Sequence, residues 1–255
     1  LDAQHAYNGE LGLVYTAPQA PELKLWAPTA QQVNLLIYDQ TTRQQKQKIT
    51  LQKEKQGVWK TQAKKDWYGD YYRYEVTVYT PWTHKIETYQ VTDPYSISLS
   101  SNSQYSQIIN LAEPTLKPRG WEQLLQTYPI QKQHPEDMVI YELHVRDFSI
   151  ADQSVPQKDQ GKFTAFAHKN SKGSMHLQQL AHAGLSHVHL LPVFDIATIE
   201  ENPEKQVLPE IPKAWPESPQ QQAAIGEVRD QDGFNWGYDP LHYGVPEGSY
   251  STQAD

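Results

Sequence analysis

A short aromatic segment near the end of the chain carries the side chains best suited to binding a sugar. Residues 234–240 read Phe-Asn-Trp-Gly-Tyr-Asp-Pro, and residues 246–250 read Pro-Glu-Gly-Ser-Tyr. Aromatic faces can stack on the apolar face of a sugar ring, while an amide and a carboxylate can bind its hydroxyls. The same residues also suit a tight aromatic turn that caps a core. The residue types alone do not separate these two interpretations.

Three histidines have the spacing of metal ligands. His187 and His189 lie two residues apart, so both imidazoles fall on one face of a predicted strand, and His144 lies on the neighbouring predicted strand. The alternative is that these side chains form hydrogen bonds inside a barrel. No Asp or Glu sits where it would complete a ligand set, so we predict no metal ligands in this chain.

A second polar group ends the first predicted strand of the second half. Glu142, His144 and Arg146 share one face of that strand, and Asp147 follows it. Paired carboxylates do acid and base work in glycosidases. A carboxylate beside Arg146 more often forms an ion pair that fixes the strand end, and we favour that interpretation.

The composition excludes several classes of protein. The 255 residues are 38% hydrophobic and 20% charged with a formal net charge of −8, which indicates a globular protein and disfavours binding to nucleic acid. The absence of cysteine excludes thiolate catalysis, disulfides and thiolate zinc sites. No stretch reaches the roughly 20 apolar residues that span a bilayer, so we expect no transmembrane segment.

The first half of the sequence has the pattern of a β-sandwich. Short apolar runs with period two recur about every ten residues between positions 11 and 111. In the sixth run, Tyr72 and Tyr74 fall on a face that we expect to be buried, while Tyr71 and Arg73 fall on the exposed face. The predicted strands cover residues 11–15, 22–26, 32–38, 47–52, 58–63, 70–79 and 84–91.

The second half has a different pattern, that of a βαβ unit. It predicts a strand over residues 138–145, a helix over 173–183 and a strand over 185–193, and hence a parallel sheet. The polar, proline-rich residues 200–232 are too long for an ordinary connection, and we interpret them as a surface lid or mobile loop. A complete eight-stranded barrel needs about 250 residues and this half has about 119, so either the fold is a small sheet or the chain holds only part of a barrel.

These motifs together resemble one family. Residues 234–240 are similar to the Tyr-Asn-Trp-Gly-Tyr-Asp-Pro signature of the type I pullulanases, the starch-debranching enzymes of glycoside hydrolase family 13, with Phe234 in place of the first tyrosine. Residues 139–149 and 184–193 resemble the first two strands of that family's catalytic barrel. Residues 23–30 and 93–96 resemble the carbohydrate-binding module of family 48 that precedes it.

The resemblance implies an architecture in three parts. It predicts an immunoglobulin-like β-sandwich module over residues 1–115, a linker over 116–136, and over 137–255 the first part of a (β/α)8 TIM barrel with a long insertion at 200–232. The family's nucleophilic Asp, acid–base Glu and stabilising Asp lie on later strands, beyond Asp255. We therefore expect no catalytic residue in this chain and predict that the isolated chain is inactive.

The resemblance also implies a substrate and a site. The full-length enzyme would hydrolyse α-1,6 linkages in pullulan, limit dextrins and amylopectin with retention. Tyr238 would stack under the sugar beside the scissile bond, with Asp239 and Trp236 shaping the same pocket and Asn235 also binding substrate. Calcium is open for the full-length enzyme, and no cofactor is expected in this chain.

Two rival functions stay open at this point. One is a non-catalytic α-glucan-binding protein in which the sandwich binds the glucan, and the other is a metal-dependent barrel hydrolase using His187 and His189. The expected partners are the α-glucan and, as a further option, a second chain that supplies the remainder of the enzyme. A secreted or cell-surface location is expected, with a cytoplasmic one as the alternative.

Overall fold

The structure is a computed structural model that describes residues 2–16, 20–127 and 134–254. The chain divides into two compact units: Leu1–Leu111 with His242–Val245, and Ala112–Leu241 with Pro246–Asp255. Residues 128–133 of the predicted linker lie outside the described residues. Among the described residues, no helix is long and apolar enough to cross a membrane.

Two antiparallel sheets form the first unit, which confirms the predicted β-sandwich. A short helix, α1 (Asp2–His5), precedes the strands. The strands are β1 (Gly12–Val14), β2 (Glu22–Trp26), β3 (Gln32–Tyr38), β4 (Gln45–Thr50), β5 (Gln52–Lys53), β6 (Val58–Gln62), β7 (Tyr71–Thr80), β8 (Lys85–Val91) and β9 (Ser106–Gln107). One sheet has the order β1-β2-β6-β5 and the other β4-β3-β7-β8, with β9 paired to β7.

The core of the sandwich follows from the alternation of side chains along each strand. On β2, Leu23 and Leu25 are buried while the residues between them are only partly so. They pack in one cluster with Leu35 of β3 and with Tyr72 and Tyr74 of β7. The face of β7 predicted to be buried is therefore the core face at these positions.

The opposite face of the second sheet is more buried than the alternation predicts. Tyr71, expected on the exposed face, packs with Leu36 and Tyr38 in a second cluster, which Tyr105 covers. The Arg43 guanidinium lies 3.7 Å from the centre of the Tyr71 ring. A cation over an aromatic face is favourable, so the ring is covered from outside by a charged residue that the strand pattern does not reveal.

The second unit contains the predicted βαβ unit. Its elements are α2 (Trp121–Thr127), β10 (Ile140–Leu143), α3 (Val145–Ser149), α4 (Lys172–His182), β11 (His187–Leu190), β12 (Phe194–Ile196), α5 (Gln220–Gly226) and the two ends of β13 (Pro240–Pro246), whose residues His242–Val245 belong to the first unit. Strands β10 and β11 pair in parallel, with Ile140 opposite His187. Helix α4 lies between them in sequence and begins at Ser171, whose side chain accepts a hydrogen bond from the Ser174 backbone.

Three segments of this unit differ from the predictions. The second strand, predicted over residues 185–193, covers only His187–Leu190. The first strand ends at Leu143 rather than at 145, because the His144 side chain caps a helix that the alternation does not predict. Within residues 200–232 the structure has a single short helix, α5. The unit's core gathers Val145, Ile196 and Tyr250.

Candidate functional site

Asn235 holds the aromatic segment of residues 234–240 in place from inside. Its side-chain amide nitrogen donates to the Thr198 carbonyl and hydroxyl oxygens, at 3.1 and 3.0 Å, and its side-chain oxygen accepts from the Gly237 backbone at 2.8 Å. Both polar atoms of the amide are thus used within the protein. The structure gives Asn235, predicted to bind substrate, hydrogen bonds that fix the loop.

Asp239 closes the same network. One of its carboxylate oxygens, Oδ2, accepts a short hydrogen bond from the Thr198 hydroxyl and lies 3.4 Å from the Asn235 amide nitrogen. The other oxygen, Oδ1, is buried and has no hydrogen-bond partner among the described residues. An unpaired buried oxygen is costly, so Oδ1 is an acceptor that a ligand or a water molecule could satisfy.

Trp236 and Tyr238 point the other way. Their side chains are 59% and 69% exposed, although each neighbours a partly buried residue of the loop. Large exposed aromatic residues on a rigid loop suit stacking on a ligand ring. The structure therefore brings all four predicted residues together in one loop. Asn235 and Asp239 hold the loop by hydrogen bonds, and Trp236 and Tyr238 expose their rings.

His144 contacts this loop from the end of β10. The ring is buried, and its Nε2 lies 2.8 Å from the Asn235 carbonyl oxygen and 3.0 Å from the Tyr250 hydroxyl. Its other nitrogen, Nδ1, accepts from the Asp147 backbone at 3.3 Å. Sequence reasoning considered this residue only as a metal ligand or a strand residue and missed its contact with a segment 91 positions away.

Asp147 contacts His144 through its backbone, but Glu142, His187 and His189 are not grouped with it. His189 Nδ1 lies 3.2 Å from the Glu142 carboxylate, and His187 pairs with the neighbouring Ser186. The three histidines do not share a candidate ion site among the described residues. Asp147 pairs with Arg146 at 3.1 Å on a partly exposed surface rather than in a buried ion pair.

Three buried carboxylates form a separate group that sequence reasoning did not find. Oxygens of Asp195, Glu201 and Glu247 all lie within 4.8 Å of one another, the separation that a shared divalent cation would require. Burial raises the pKa of Glu247, against the effect of hydrogen bonds from Ser249 and the Ile196 backbone.

The side chain of Lys162 lies near these carboxylates. Burial lowers the pKa of Lys162, while the charges of Glu247 and Glu201 raise it. Its Nζ donates to the Ser249 carbonyl at 2.6 Å. The carboxylates are thus part of an internal polar junction that already holds an ammonium group.

The sandwich offers a second exposed aromatic surface. A groove of about 460 Å³ opens along the β7–β8 hairpin. Trp82 is 79% exposed at its end, and the Tyr89 hydroxyl is hydrogen-bonded to Glu87 and Thr80 at 2.5 and 3.1 Å. The groove is lined by Val76, Val78, Tyr79, Thr80, Pro81, Trp82, Tyr89 and Val91.

Fold and site together define a two-sheet β-sandwich module followed by a βαβ unit with an exposed aromatic loop. Residues 10–96 match the family model "Carbohydrate-binding module 48 (Isoamylase N-terminal domain)". That match covers the sandwich and confirms its resemblance to family 48.

Nearly the whole chain is similar to pullulanases, which confirms the resemblance read from the motifs. It is 42% identical to Pullulanase 1, chloroplastic, of Arabidopsis thaliana over 99% of this chain and 26% of the relative. It is 38% identical to the pullulanase of Klebsiella aerogenes, over 91% of this chain and 24% of that protein. The chain thus spans about a quarter of the length of these curated relatives.

Solved structures give the same result. The maltotriose complex of PulA from Klebsiella pneumoniae superposes with a TM-score of 0.87 at 36% identity, covering 99% of this chain and 31% of that one. A pullulanase from Paenibacillus barengoltzii in complex with maltohexaose and α-cyclodextrin gives a TM-score of 0.73 at 30% identity, covering 99% of this chain and 34% of that one.

Proposed function

We propose that this chain is part of a pullulanase-type debranching enzyme, a glycoside hydrolase that cleaves α-1,6-glucosidic linkages in pullulan, limit dextrins and amylopectin. The observation that carries the proposal is the loop of residues 234–240, which presents Trp236 and Tyr238 outward while Asn235 and Asp239 hold it from within. Similarity to pullulanases along nearly the whole chain supports it.

The exposure of the parallel sheet supports a barrel that further strands complete. Parallel sheets are normally covered on both faces. Here Ile140 on β10 is 59% exposed and Val188 on β11 is 43% exposed. We infer that β10 and β11 are the first strands of a (β/α)8 barrel and that more chain packs against them.

The chemistry would be a double displacement. A carboxylate attacks the anomeric carbon, a second carboxylic acid protonates the leaving oxygen, and water then hydrolyses the glycosyl-enzyme intermediate with retention. These carboxylates would come from chain beyond residue 255, and the loop described here would form one wall of the sugar site. Calcium in the full-length enzyme and a secreted or cell-surface location stay predictions.

Replacing Tyr238 tests the role of the loop. Tyr238→Ala in the full-length protein should lower kcat/KM on pullulan at least about tenfold, which corresponds to roughly 1.4 kcal/mol of lost transition-state binding. Trp215→Ala, which removes another exposed aromatic residue of the second unit, is the matched control and should change it less than about twofold. A smaller loss at Tyr238 than tenfold would contradict the stacking role.

A second experiment tests whether the catalytic carboxylates lie outside these 255 residues. The isolated 255-residue chain should release no reducing ends from pullulan, because the attacking and protonating carboxylates would lie outside it. Measurable hydrolysis by this chain would overturn that prediction.

A second candidate function is α-glucan binding by the sandwich, which the aromatic groove favours. Its apolar lining offers stacking surfaces, and the hydroxyls of Tyr89 and Thr80 lie at its edge. Retention on immobilised amylose should be reduced by Trp82→Ala and unchanged by Tyr68→Ala, which removes another exposed aromatic residue of the same unit. Equal retention of both variants would exclude the groove as a binding site.

A further inference from the structure

His144 connects the end of a barrel strand to the sugar-facing loop. Strand β10 ends at Leu143, and the next residue begins helix α3 by accepting the Asp147 backbone N–H with its own Nδ1. On the opposite side of the ring, Nε2 lies 2.8 Å from the carbonyl oxygen of Asn235. One buried imidazole thus bridges a fixed strand end and the loop.

The two hydrogen bonds define which nitrogen carries the proton. A backbone N–H can only donate, so Nδ1 must be the acceptor, and a carbonyl oxygen can only accept, so Nε2 must be protonated. The Tyr250 hydroxyl, 3.0 Å from the same Nε2, lies beside this bond. The surrounding backbone therefore selects the neutral Nε2-protonated tautomer.

The ring also contacts the side chains on either side of Asn235. Its centre lies 5.5 Å from the Phe234 ring and 6.3 Å from the Trp236 ring, the latter nearly perpendicular. Thr198 holds the Asn235 amide by separate hydrogen bonds. His144 therefore links the first strand to the loop through the Asn235 carbonyl oxygen of the backbone and through ring contacts with Phe234 and Trp236.

We propose that His144 is a positioning residue. It fixes the distance between the end of β10 and the backbone of the 234–240 loop, and thereby the placement of Trp236 and Tyr238 against a glucan. This inference rests on the proposed function of the loop. His144 need not touch the sugar, because its ring is buried. Its effect on affinity would pass mainly through the hydrogen bond from Nε2 to the Asn235 carbonyl oxygen, with the ring contacts to Phe234 and Trp236 beside it.

Two substitutions separate the roles of the two ring nitrogens, the cap made by Nδ1 and the loop contact made by Nε2. In His144→Asn the side-chain oxygen can replace Nδ1 as the acceptor at the start of α3, but no donor reaches Asn235. In His144→Gln the longer amide can place an N–H near the former Nε2, while the cap is lost. Calorimetric titration of the full-length protein with maltotriose measures the affinity, which reports on the placement of the loop. Thermal unfolding measures Tm, which reports on the loss of the helix cap.

The two variants should differ in opposite ways, one mainly in maltotriose affinity and the other mainly in thermal stability. We expect His144→Asn to weaken maltotriose binding about tenfold and to retain most of the thermal stability, and His144→Gln to bind within about threefold of the parent with a lower Tm. Unchanged affinity in His144→Asn, or an equal loss of affinity in both variants, would overturn the proposal in favour of a general packing role.

Two further measurements keep the test decisive. If Tyr238→Ala leaves maltotriose affinity unchanged, the proposed function of the loop fails; if only Tyr238→Ala weakens it, this inference alone fails. Should the His144 variants not fold, 15N NMR of histidine-labelled parent protein gives the tautomer directly. A proton on Nδ1 rather than on Nε2 would refute the bridging geometry.

Discussion

Gly237, in the loop of residues 234–240, lies close to Pro192, which follows strand β11. Its backbone has a φ of +89°, and a Cβ built on it would lie 2.9 Å from Cβ and 3.0 Å from the carbonyl oxygen of Pro192. A side chain at Gly237 would meet two unfavourable conditions at once, a left-handed backbone and a contact with rigid atoms.

The size of each effect can be separated with a matched glycine. Gly120 has nearly the same φ, +86°, but a Cβ there would meet nothing within 4 Å. Gly120→Ala should therefore cost only the backbone term, about 1–2 kcal/mol. Gly237→Ala should cost the same plus about 1–3 kcal/mol, because Pro192 can move only by displacing its neighbours.

Thermal unfolding followed by circular dichroism measures the difference. At roughly 2–4 °C per kcal/mol for a chain of this size, Gly237→Ala should unfold roughly 2–12 °C below Gly120→Ala. Gly237→Ala should also weaken maltotriose binding, whereas Gly120→Ala should leave it unchanged. Equal Tm values for the two variants would refute the close approach between Gly237 and Pro192.

Three further predictions concern the sandwich. Leu35→Ala should lower its free energy of unfolding by about 2–5 kcal/mol, because this side chain is fully buried in the core, while Ile86→Ala at an exposed position should change it by less than about 0.5 kcal/mol; urea unfolding of both variants checks this. Burial raises the pKa of Asp93 above its ordinary value of 3.8, so the folded state binds this proton more tightly and stability should fall as pH rises through the raised pKa. Asp93→Asn should flatten that part of the stability profile, and an unchanged profile would contradict the assignment. Tyr72→Phe removes the hydroxyl that donates to Asp93 at 2.8 Å and should cost about 1–3 kcal/mol at neutral pH, measured by the same unfolding assay.

The sandwich strands could be predicted because their burial follows a local pattern. Glu22–Trp26 and Gln32–Tyr38 have the predicted bounds. Burial alternates along Glu22–Trp26, as the apolar and polar residues do, whereas all six residues after Gln32 in the second strand are buried, so both faces of that strand are covered. Tyr71 is likewise buried on the face that the alternation assigns to solvent. Its cover comes from Tyr105 and Arg43, which are distant in sequence and carry no periodic signal.

The end of β10 could not be predicted for a related reason. From Tyr141 to Val145 apolar and polar residues alternate, and nothing in that pattern stops at Leu143. The strand ends there because the His144 side chain accepts the Asp147 backbone N–H, a capping role that histidine rarely signals in a sequence. Helix α2 was likewise missed, inside a segment interpreted as a linker.

In the candidate site, the exposed aromatic residues could be predicted from the sequence, but the residues that hold the loop in place could not. Trp236 and Tyr238 stand out as aromatic residues in a turn, and the structure leaves both exposed. Thr198, which bonds both Asn235 and Asp239, has no distinctive neighbours in the sequence. A single sequence reports which side chains could touch a ligand better than which ones hold them there.

The support residues explain why the motif has its particular composition. A loop that only needed two exposed rings would tolerate many residues between and beside them, but here the residue between the rings and the two that flank them each have their own contact. Asn235 spans from Thr198 to the Gly237 backbone, Gly237 fits against Pro192 where no side chain has room, and Asp239 returns to Thr198. Substitutions at these three positions should therefore reduce stability and sugar affinity together. Substitutions at Trp236 and Tyr238, whose rings are exposed, should reduce affinity with little effect on stability.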